Sequence, residues 1–174
     1  MLIIMYGNMG VGKSTLAKAF AESFDFELVQ FDPLVPPVTG KEYMYGDNNE
    51  FLLSDEDIDE VHLKMRITAK EFLEKGKSLV MESMFFKEQR KKAVLLAENR
   101  GVRCFLIKVV CDEKENIKRI KDRFKNNRQS AGEKLFLENK NLLNGDPYEN
   151  FVIDTTRKGI NQCVEDVAKR VGLK

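Results

Sequence analysis

Short apolar runs alternate along the chain with longer segments whose apolar residues recur every three or four positions. The apolar runs span 2–6, 27–31, 78–82, 103–110 and 150–154, and the longer segments span 13–24, 55–75, 87–99, 113–126, 133–143 and 159–171. Continuous apolar runs of this length are typical of strands buried on both faces of a parallel sheet, and the spacing of the longer segments is typical of helices. We therefore predict an α/β domain, in which a five-stranded parallel sheet carries helices on both faces.

One long segment, residues 33–54, interrupts this alternation. It contains Pro33, Pro36 and Pro37, from which we expect no regular structure, and it ends at Ser54, which can cap the next helix. Excursions of this length in a compact domain usually serve a function, so we expect this segment to border a binding site.

The charged residues are segregated, although the 174 residues have a net charge of only +1 and a length that fits a single domain, 1–174. Residues 41–60 contain eight acidic residues and one basic residue, whereas residues 114–128 contain seven basic and two acidic residues. We interpret the acidic segment as a solvated face that, if it borders a binding site, disfavours nucleic acid and other polyanions as ligands.

The composition also bears on localisation. No apolar run approaches the roughly 20 residues that a membrane span needs, so we expect no membrane partner. Cys104, Cys111 and Cys163 lack the spacing of a metal or redox site, and we interpret them as reduced thiols in or near the core. We therefore expect the protein to be cytoplasmic.

The segment that carries the most information about chemistry is Gly7–Thr15, GNMGVGKST, which matches the phosphate-binding pattern G-x-x-x-x-G-K-[ST]. It lies between a predicted strand and a predicted helix, which is the context that this P-loop requires. Lys13 is expected to reach the β- and γ-phosphates, and Ser14 to bind Mg²⁺. We thus predict ATP and Mg²⁺ as cofactors, with nucleotide contacts from Gly7, Gly10, Val11, Gly12, Lys13, Ser14 and Thr15.

Two carboxylates follow predicted strands, Asp32 after the second and Glu82 at the end of the third. The carboxyl ends of parallel strands meet at one edge of a sheet, so both should lie near the P-loop. Asp32 could accept a proton from an attacking hydroxyl group or help to hold the water shell of Mg²⁺, or it could simply form the turn before Pro33. Glu82 could hold magnesium through water or contact substrate, or it could pair with a surface lysine.

Arg119 and Arg123 are four residues apart on the basic helix and therefore share one face, and Arg128 follows just past it. A guanidinium group can bind phosphate with two parallel hydrogen bonds or stack on adenine, although the helix could also be no more than an exposed cationic surface. His62 has no neighbouring partner pattern, and we interpret it as a surface or core-edge residue without a catalytic role. Phe85 and Phe86 could line an acceptor pocket or belong to the core.

Several segments together resemble the small P-loop kinases of the AAA-type ATP-binding, zeta-toxin and polynucleotide-kinase-like group. They occur in the family's order, as GNMGVGKSTLAKAF, FELVQFD, GKSLVMESMFFKEQR, VRCFLIKVVCDEKENIKRIKDRF and ENFVIDTT. The resemblance implies a nucleoside-kinase-like P-loop NTPase fold with sheet order 2-3-1-4-5. It also implies an acceptor-side excursion at 33–54 and a lid at about 119–132.

The resemblance also assigns roles to particular residues. It implies that Asp32 activates the acceptor, that Arg119 and Arg123 lie near adenine and the phosphates, and that Thr155 and Thr156 close the adenine pocket. In this group, the catalytic residues would be Lys13, Asp32 and Arg123.

The function expected from these features is transfer of the γ-phosphate of ATP to a hydroxyl group of a small molecule or nucleotide. Two alternatives stay open, a polynucleotide 5′-hydroxyl kinase of the RNA-repair type and a non-catalytic ATP-binding regulatory module. A dinucleotide-binding fold is excluded because the glycines run G-x-x-G-x-G-K, and a switch GTPase is disfavoured because the chain has no N-K-x-D sequence. The acceptor and the oligomeric state cannot be read from these motifs.

Overall fold

The computed structural model describes residues 1–46, 50–127, 130–141, 143 and 150–173. Five parallel strands form one sheet in the order β2-β3-β1-β4-β5, as expected. The strands are β1 (Leu2–Tyr6), β2 (Glu27–Gln30), β3 (Leu79–Ser83), β4 (Cys104–Val110) and β5 (Phe151–Asp154). Every residue of the central strand β1 and of its neighbour β3 is buried, which explains why β1 and most of β3 are apolar.

Helices cover both faces of this sheet, which confirms the predicted architecture. They are α1 (Lys13–Phe24), α2 (Val35–Thr39), α3 (Asp55–Glu74), α4 (Lys87–Glu98), α5 (Glu113–Asn126), α6 (Glu133–Asn139) and α7 (Ile160–Val171). Alternate residues of β1 face opposite sides, as the period of a strand requires. Ile3 and Met5 pack with α1 and α7, whereas Leu2, Ile4 and Tyr6 pack with α3 and α4.

The ends of α3 and α5 follow from local side-chain chemistry. The Ser54 hydroxyl accepts a hydrogen bond from the Asp57 backbone N–H at 3.2 Å, and the Asp57 carboxylate accepts one from the Ser54 N–H at 2.7 Å. This capping box satisfies backbone donors that the helix leaves free at its start. The Asp112 carboxylate caps α5 in the same way, through the backbone N–H groups of Lys114 and Glu115 at 3.0 and 3.4 Å.

The expectation that the prolines exclude regular structure is wrong. Asp32–Leu34 forms a short 3₁₀ helix and Val35–Thr39 forms α2. Proline lacks a backbone N–H, but the first helical turn has no intrahelical acceptor for that group, so a proline fits there. Pro33, Pro36 and Pro37 all occupy such positions, and Gly40 ends α2 with a φ of 71°.

Other predicted boundaries differ by one or a few residues. The helix predicted over 133–143 ends at Asn139, and position 142 lies outside the described residues. Cys163 is buried, whereas Cys104 and Cys111 are partly exposed, and all three are free thiols. Among the described helices, none combines the length and the apolar character that crossing a membrane would require.

Candidate active site

The P-loop connects β1 to α1 at the carboxyl edge of the sheet, as its sequence context predicts. Gly7 approaches a neighbouring strand so closely that a Cβ atom there would lie 2.3 Å from the Val109 carbonyl oxygen. Gly12 immediately precedes α1 and has a φ of 88°, a backbone conformation that residues with a side chain rarely adopt. A larger residue at either position would disturb the loop. Gly10 and Val11 complete it, and the Thr15 side chain is exposed on α1.

The Lys13 ammonium group lies between the loop and a buried carboxylate. Its Nζ is 3.5 Å from the Asn8 carbonyl oxygen and 3.7 Å from Glu82 Oε1. Gln30 Nε2 donates a hydrogen bond of 3.0 Å to the other carboxylate oxygen, Oε2. Burial raises the pKa of Glu82, whereas Lys13 and hydrogen bonds from Gln30 and Ser14 act against this rise. Glu82 is thus an interior partner of the P-loop lysine, not the partner of a surface lysine.

Ser14 and Glu82 offer a hydroxyl and a carboxylate side by side, which are the hard oxygen donors that Mg²⁺ prefers. The described residues contain no group of three or more His, Cys, Asp or Glu side chains that could hold a metal. Mg²⁺ normally keeps several waters and takes further ligands from substrate phosphates, so two protein groups are sufficient. The residues present therefore fit this ion.

A cavity of about 530 Å³ opens beside the P-loop and brings four of the predicted site residues together: Lys13, Ser14, Asp32 and Arg123. The remaining wall is mostly apolar and comes from distant parts of the chain, including Phe31, Met44, Tyr45, Phe51, Ile58, Met84, Phe86, Ala131 and Leu135. Phe86 therefore lines the cavity, whereas its neighbour Phe85 is buried in the core. Of the two positions expected for these residues, the pocket wall holds for Phe86 and the core for Phe85.

Asp32 begins the short 3₁₀ helix that follows β2 and lines the cavity. No described residue makes a hydrogen bond or an ion pair with its carboxylate. Tyr45 lies close enough to interact with this carboxylate. Its pKa is raised to about 12, mainly by burial and further by the charge of Asp32, while Arg123 acts against the rise. The phenol is therefore neutral at pH 7, and a carboxylate and a guanidinium group flank it.

Arg119 lies away from that cavity. Its guanidinium group donates hydrogen bonds to the Thr155 hydroxyl and carbonyl oxygens, both at 2.9 Å, and to Glu115 Oε1 at 3.0 Å. The Thr155 hydroxyl in turn donates to the carbonyl oxygen of Val11 at 2.7 Å. The predicted nucleotide residues Arg119 and Thr155 are thus linked to the P-loop by direct contacts. Arg128 falls outside the described residues.

Of the two positions expected for His62, the surface is wrong and the edge of the core is confirmed. The side chain is only 2% exposed and lines the cavity, with its ring 4.9 Å from the Phe31 ring and 5.2 Å from the Phe85 ring. On α3, His62 lies beside Val61 and Met65, which face the sheet. Its place next to this apolar stripe is the sequence feature that could have predicted its burial. Burial lowers the pKa of His62 to about 4, so the imidazole is neutral at pH 7.

Two buried polar residues near the cavity were not among the predicted site residues. Ser83 ends β3 and shares a hydrogen bond with His62. Arg90 on α4 is 2% exposed, donates a hydrogen bond to the Phe85 carbonyl oxygen and lies over the Tyr6 ring at 4.3 Å. It therefore holds Phe85, a non-glycine residue with a φ of 45°, in place. Both lie in the segment GKSLVMESMFFKEQR, which carries part of the family resemblance but assigned no role to either residue.

The acidic segment does not line the cavity with charge. Its described contributions to the wall are Met44, Tyr45, Phe51 and Ile58, all apolar or aromatic. The described acidic side chains of the segment are absent from the wall, and Asp57 is bound to Lys41 and to the Ser54 backbone. The interpretation as a solvated face therefore holds, and the inferred repulsion of an anionic acceptor loses its physical basis.

The fold and the P-loop define the class: this is a P-loop protein with a nucleoside-kinase-like α/β fold. The family model of the AAA domain matches residues 2–141, so the chain belongs to that family. This confirms the resemblance to small P-loop kinases that the motifs indicated. No curated protein matches the chain in sequence.

Solved structures of kinases share this fold at low sequence identity. A sugar kinase from Janibacter sp. superimposes with a TM-score of 0.73 at 17% identity, covering 99% of this chain and 94% of that one. A gluconokinase from Sinorhizobium meliloti gives 0.69 at 17%, with coverage of 98% and 90%. The Mycobacterium tuberculosis APS kinase CysC, in complex with AMPPNP and APS, gives 0.67 at 14%, with coverage of 98% and 96%. The similarity extends over the whole fold.

Proposed function

We propose that this P-loop protein transfers the γ-phosphate of ATP to a hydroxyl group of a small molecule. The observation that carries the proposal is that Lys13, Ser14, Asp32 and Arg123 line one cavity, although the chain supplies them from α1, the segment after β2, and α5. A phosphate cradle, a carboxylate without a partner in the described chain and a cation that lines the same cavity are the groups that phosphoryl transfer needs. A module that only bound ATP would need just the first.

Each residue has a distinct part in the proposed reaction. The acceptor oxygen attacks the γ-phosphorus, the bond to the β,γ-bridging oxygen breaks, and its electron pair leaves with ADP. Asp32 accepts the proton of the acceptor hydroxyl group. Lys13 and Arg123 stabilise the negative charge on the transferring group, which is greatest in the transition state.

Ser14 and Glu82 are the groups that would hold Mg²⁺, Glu82 through a water molecule. When bound, the ion neutralises charge on the β- and γ-phosphates. Glu82 also fixes Lys13 at the mouth of the cradle, so that a single carboxylate orients the lysine and serves the metal. Arg119 and Thr155 would contact the adenine side of the nucleotide.

The apolar wall favours a small acceptor over a polynucleotide. Affinity for nucleic acid depends mainly on cations that neutralise phosphates. In the described part of the cavity wall the only such cations are Lys13 and Arg123, and the transferring phosphate needs both. A 5′-hydroxyl kinase would require further basic groups along an open track.

The test is Asp32→Asn, assayed for ATP consumption against a panel of nucleosides, sugars, aminoglycosides and 5′-hydroxyl oligonucleotides. We expect kcat to fall by roughly 100-fold or more while ATP affinity is retained, because the amide cannot accept the proton. Asp25→Asn is the matched control, since Asp25 is an exposed acid at the end of α1 whose left-handed conformation asparagine also adopts.

Equal activity of wild type and Asp32→Asn would remove Asp32 from the mechanism and make Glu82 the remaining carboxylate candidate. Efficient labelling of a 5′-hydroxyl oligonucleotide, with a rate that falls as salt is added, would replace the small-molecule proposal by the nucleic-acid alternative.

A further inference from the structure

His62 and Ser83 form a hydrogen-bonded pair on the cavity wall, and the proton positions in this pair can be deduced. His62 Nδ1 lies 2.9 Å from the Ile58 carbonyl oxygen, which can only accept, so Nδ1 carries the hydrogen. Because burial keeps the imidazole neutral, Nε2 has a lone pair and no hydrogen. At 3.1 Å, Nε2 must therefore accept its hydrogen bond from the Ser83 hydroxyl group.

This arrangement commits the only hydrogen of the Ser83 hydroxyl group to His62. The oxygen keeps a free lone pair, so toward the cavity Ser83 can accept a hydrogen bond but cannot donate one. Ser83 is only 4% exposed, so water has little access to this lone pair and a bound ligand is the natural source of a donor. A ligand that fills this part of the cavity is therefore favoured if it brings a donor to Ser83.

The surroundings of the pair restrict the ligand further. The His62 ring is packed between Phe31 and Phe85, so it cannot rotate freely to release the serine. The wall nearby includes Phe31, Ile58 and Phe86, which suit an apolar or aromatic body. Within the described lining, the charged side chains are Lys13, Asp32 and Arg123, which belong to the phosphate-transfer end.

We propose that the acceptor is a neutral hydroxyl compound with an apolar or aromatic ring that also carries a second hydrogen-bond donor, a hydroxyl or N–H group, which binds Ser83 Oγ. This inference rests on the proposed kinase function and deepens it by naming the acceptor class. Ser83 is the specificity-determining residue, and His62 is a positioning residue that orients its hydroxyl group. Polyols and sugar acids lack an apolar body that could contact this wall.

The experiment compares pairs of neutral acceptors in which that donor is present or has been removed by introducing a methyl group: 4-(hydroxymethyl)phenol against 4-methylbenzyl alcohol, and uridine against N3-methyluridine. We expect the member with the donor to have a kcat/KM higher by roughly 10-fold or more, because a site built to bind a donor rejects the analogue that lacks it. In Ser83→Ala the ratio should fall to about 1. In His62→Phe the ratio should also fall, since the Ser83 hydroxyl group is then free to rotate.

Ser23→Ala is the matched control, because the Ser23 hydroxyl group is bonded to the Ala19 carbonyl oxygen on the exposed side of α1, and it should leave the ratio unchanged. Circular dichroism and thermal melting confirm that each variant is folded. If folded Ser83→Ala retains the ratio, the proposal is overturned. The proposal is also overturned if Lys13-dependent activity is confined to polyols, sugar acids or oligonucleotides, or if the protein binds ATP but turns over no ring acceptor. Failure of the wild type to bind ATP would instead refute the proposed function itself.

Discussion

Lys13 is a cation with one anionic partner in the protein, Glu82, and an expected second partner in the phosphate of a nucleotide. Its ammonium group is held by the buried Glu82 carboxylate and by the Asn8 carbonyl oxygen, so it is already oriented before phosphate arrives. Orientation in advance lowers the cost of binding, because fewer side-chain rotations have to be frozen. A bound phosphate would add a second anion beside the same cation. The hydrogen bond from Gln30 holds the Glu82 carboxylate in its position.

Replacing Lys13 by alanine is therefore expected to abolish phosphoryl transfer. ATP–Mg²⁺ affinity should also fall sharply, because a charge-assisted contact to phosphate is lost and Glu82 is left without its cation. Isothermal titration calorimetry measures this loss. Lys18→Ala, an exposed lysine on the same helix, should bind ATP normally. Unchanged ATP affinity in folded Lys13→Ala would disprove the P-loop assignment for this chain.

At the scale of the element, α5 separates two arginines that the sequence places on one face. Arg119 is tied to Glu115 and Thr155, whereas the Arg123 guanidinium group makes no hydrogen bond or ion pair with any described residue and lines the cavity. One helical turn thus carries a cation that joins α5 to the segment after β5, and a second that lines the cavity. The contacts of Arg119 define its position, whereas Arg123 is available to a ligand.

This difference predicts opposite kinetic effects. Arg123→Ala should lower kcat more than it lowers ATP affinity, because the charge that Arg123 meets develops in the transition state. Arg119→Ala should raise the KM for ATP, if Arg119 lies against adenine. Steady-state kinetics with ATP as the varied substrate distinguish the two, and Lys118→Ala, exposed on the same helix, serves as control. A reversal of both effects would mean that the two roles are exchanged.

On the scale of the whole molecule, the site depends on how α3 packs against the sheet. His62 connects α3 to the end of β3 through Ser83, and it packs against Phe31 and Phe85. Its neutral form is part of the folded structure, whereas in the unfolded chain it can take up a proton. Folding is therefore linked to pH through this residue.

The pKa of His62 falls from 6.5 to about 4 on folding, so the unfolded chain binds more protons between these values. Stability should be full above about pH 6.5 and be lost progressively as the pH falls toward 4, by up to about 3 kcal/mol. Arg66 and Lys92 lower this pKa and Asp59 raises it, but burial is the largest cause. Urea unfolding from pH 7.5 to 4.5 measures the effect. His62→Phe should show a smaller slope over this range, and equal slopes would contradict the buried neutral imidazole.

The sequence by itself determined the five parallel strands and the phosphate cradle, whereas the order of the strands followed from the family resemblance. Continuous apolar runs specify buried parallel strands, and the P-loop pattern specifies its own local geometry because its glycines and its lysine act within a few residues of each other. The prolines after Asp32 misled the local prediction because their position within a helical turn, not their number, decides whether they fit.

Only the tertiary structure decided what surrounds the cradle. The burial of His62, its partnership with Ser83 and the clamp of Arg90 on Phe85 join residues distant in sequence. The sequence likewise showed many acidic residues in 41–60, but not that the segment turns Met44 and Phe51 toward the cavity. Such contacts arise where separate elements pack together, and neither periodicity nor a short motif encodes which side chains will meet there.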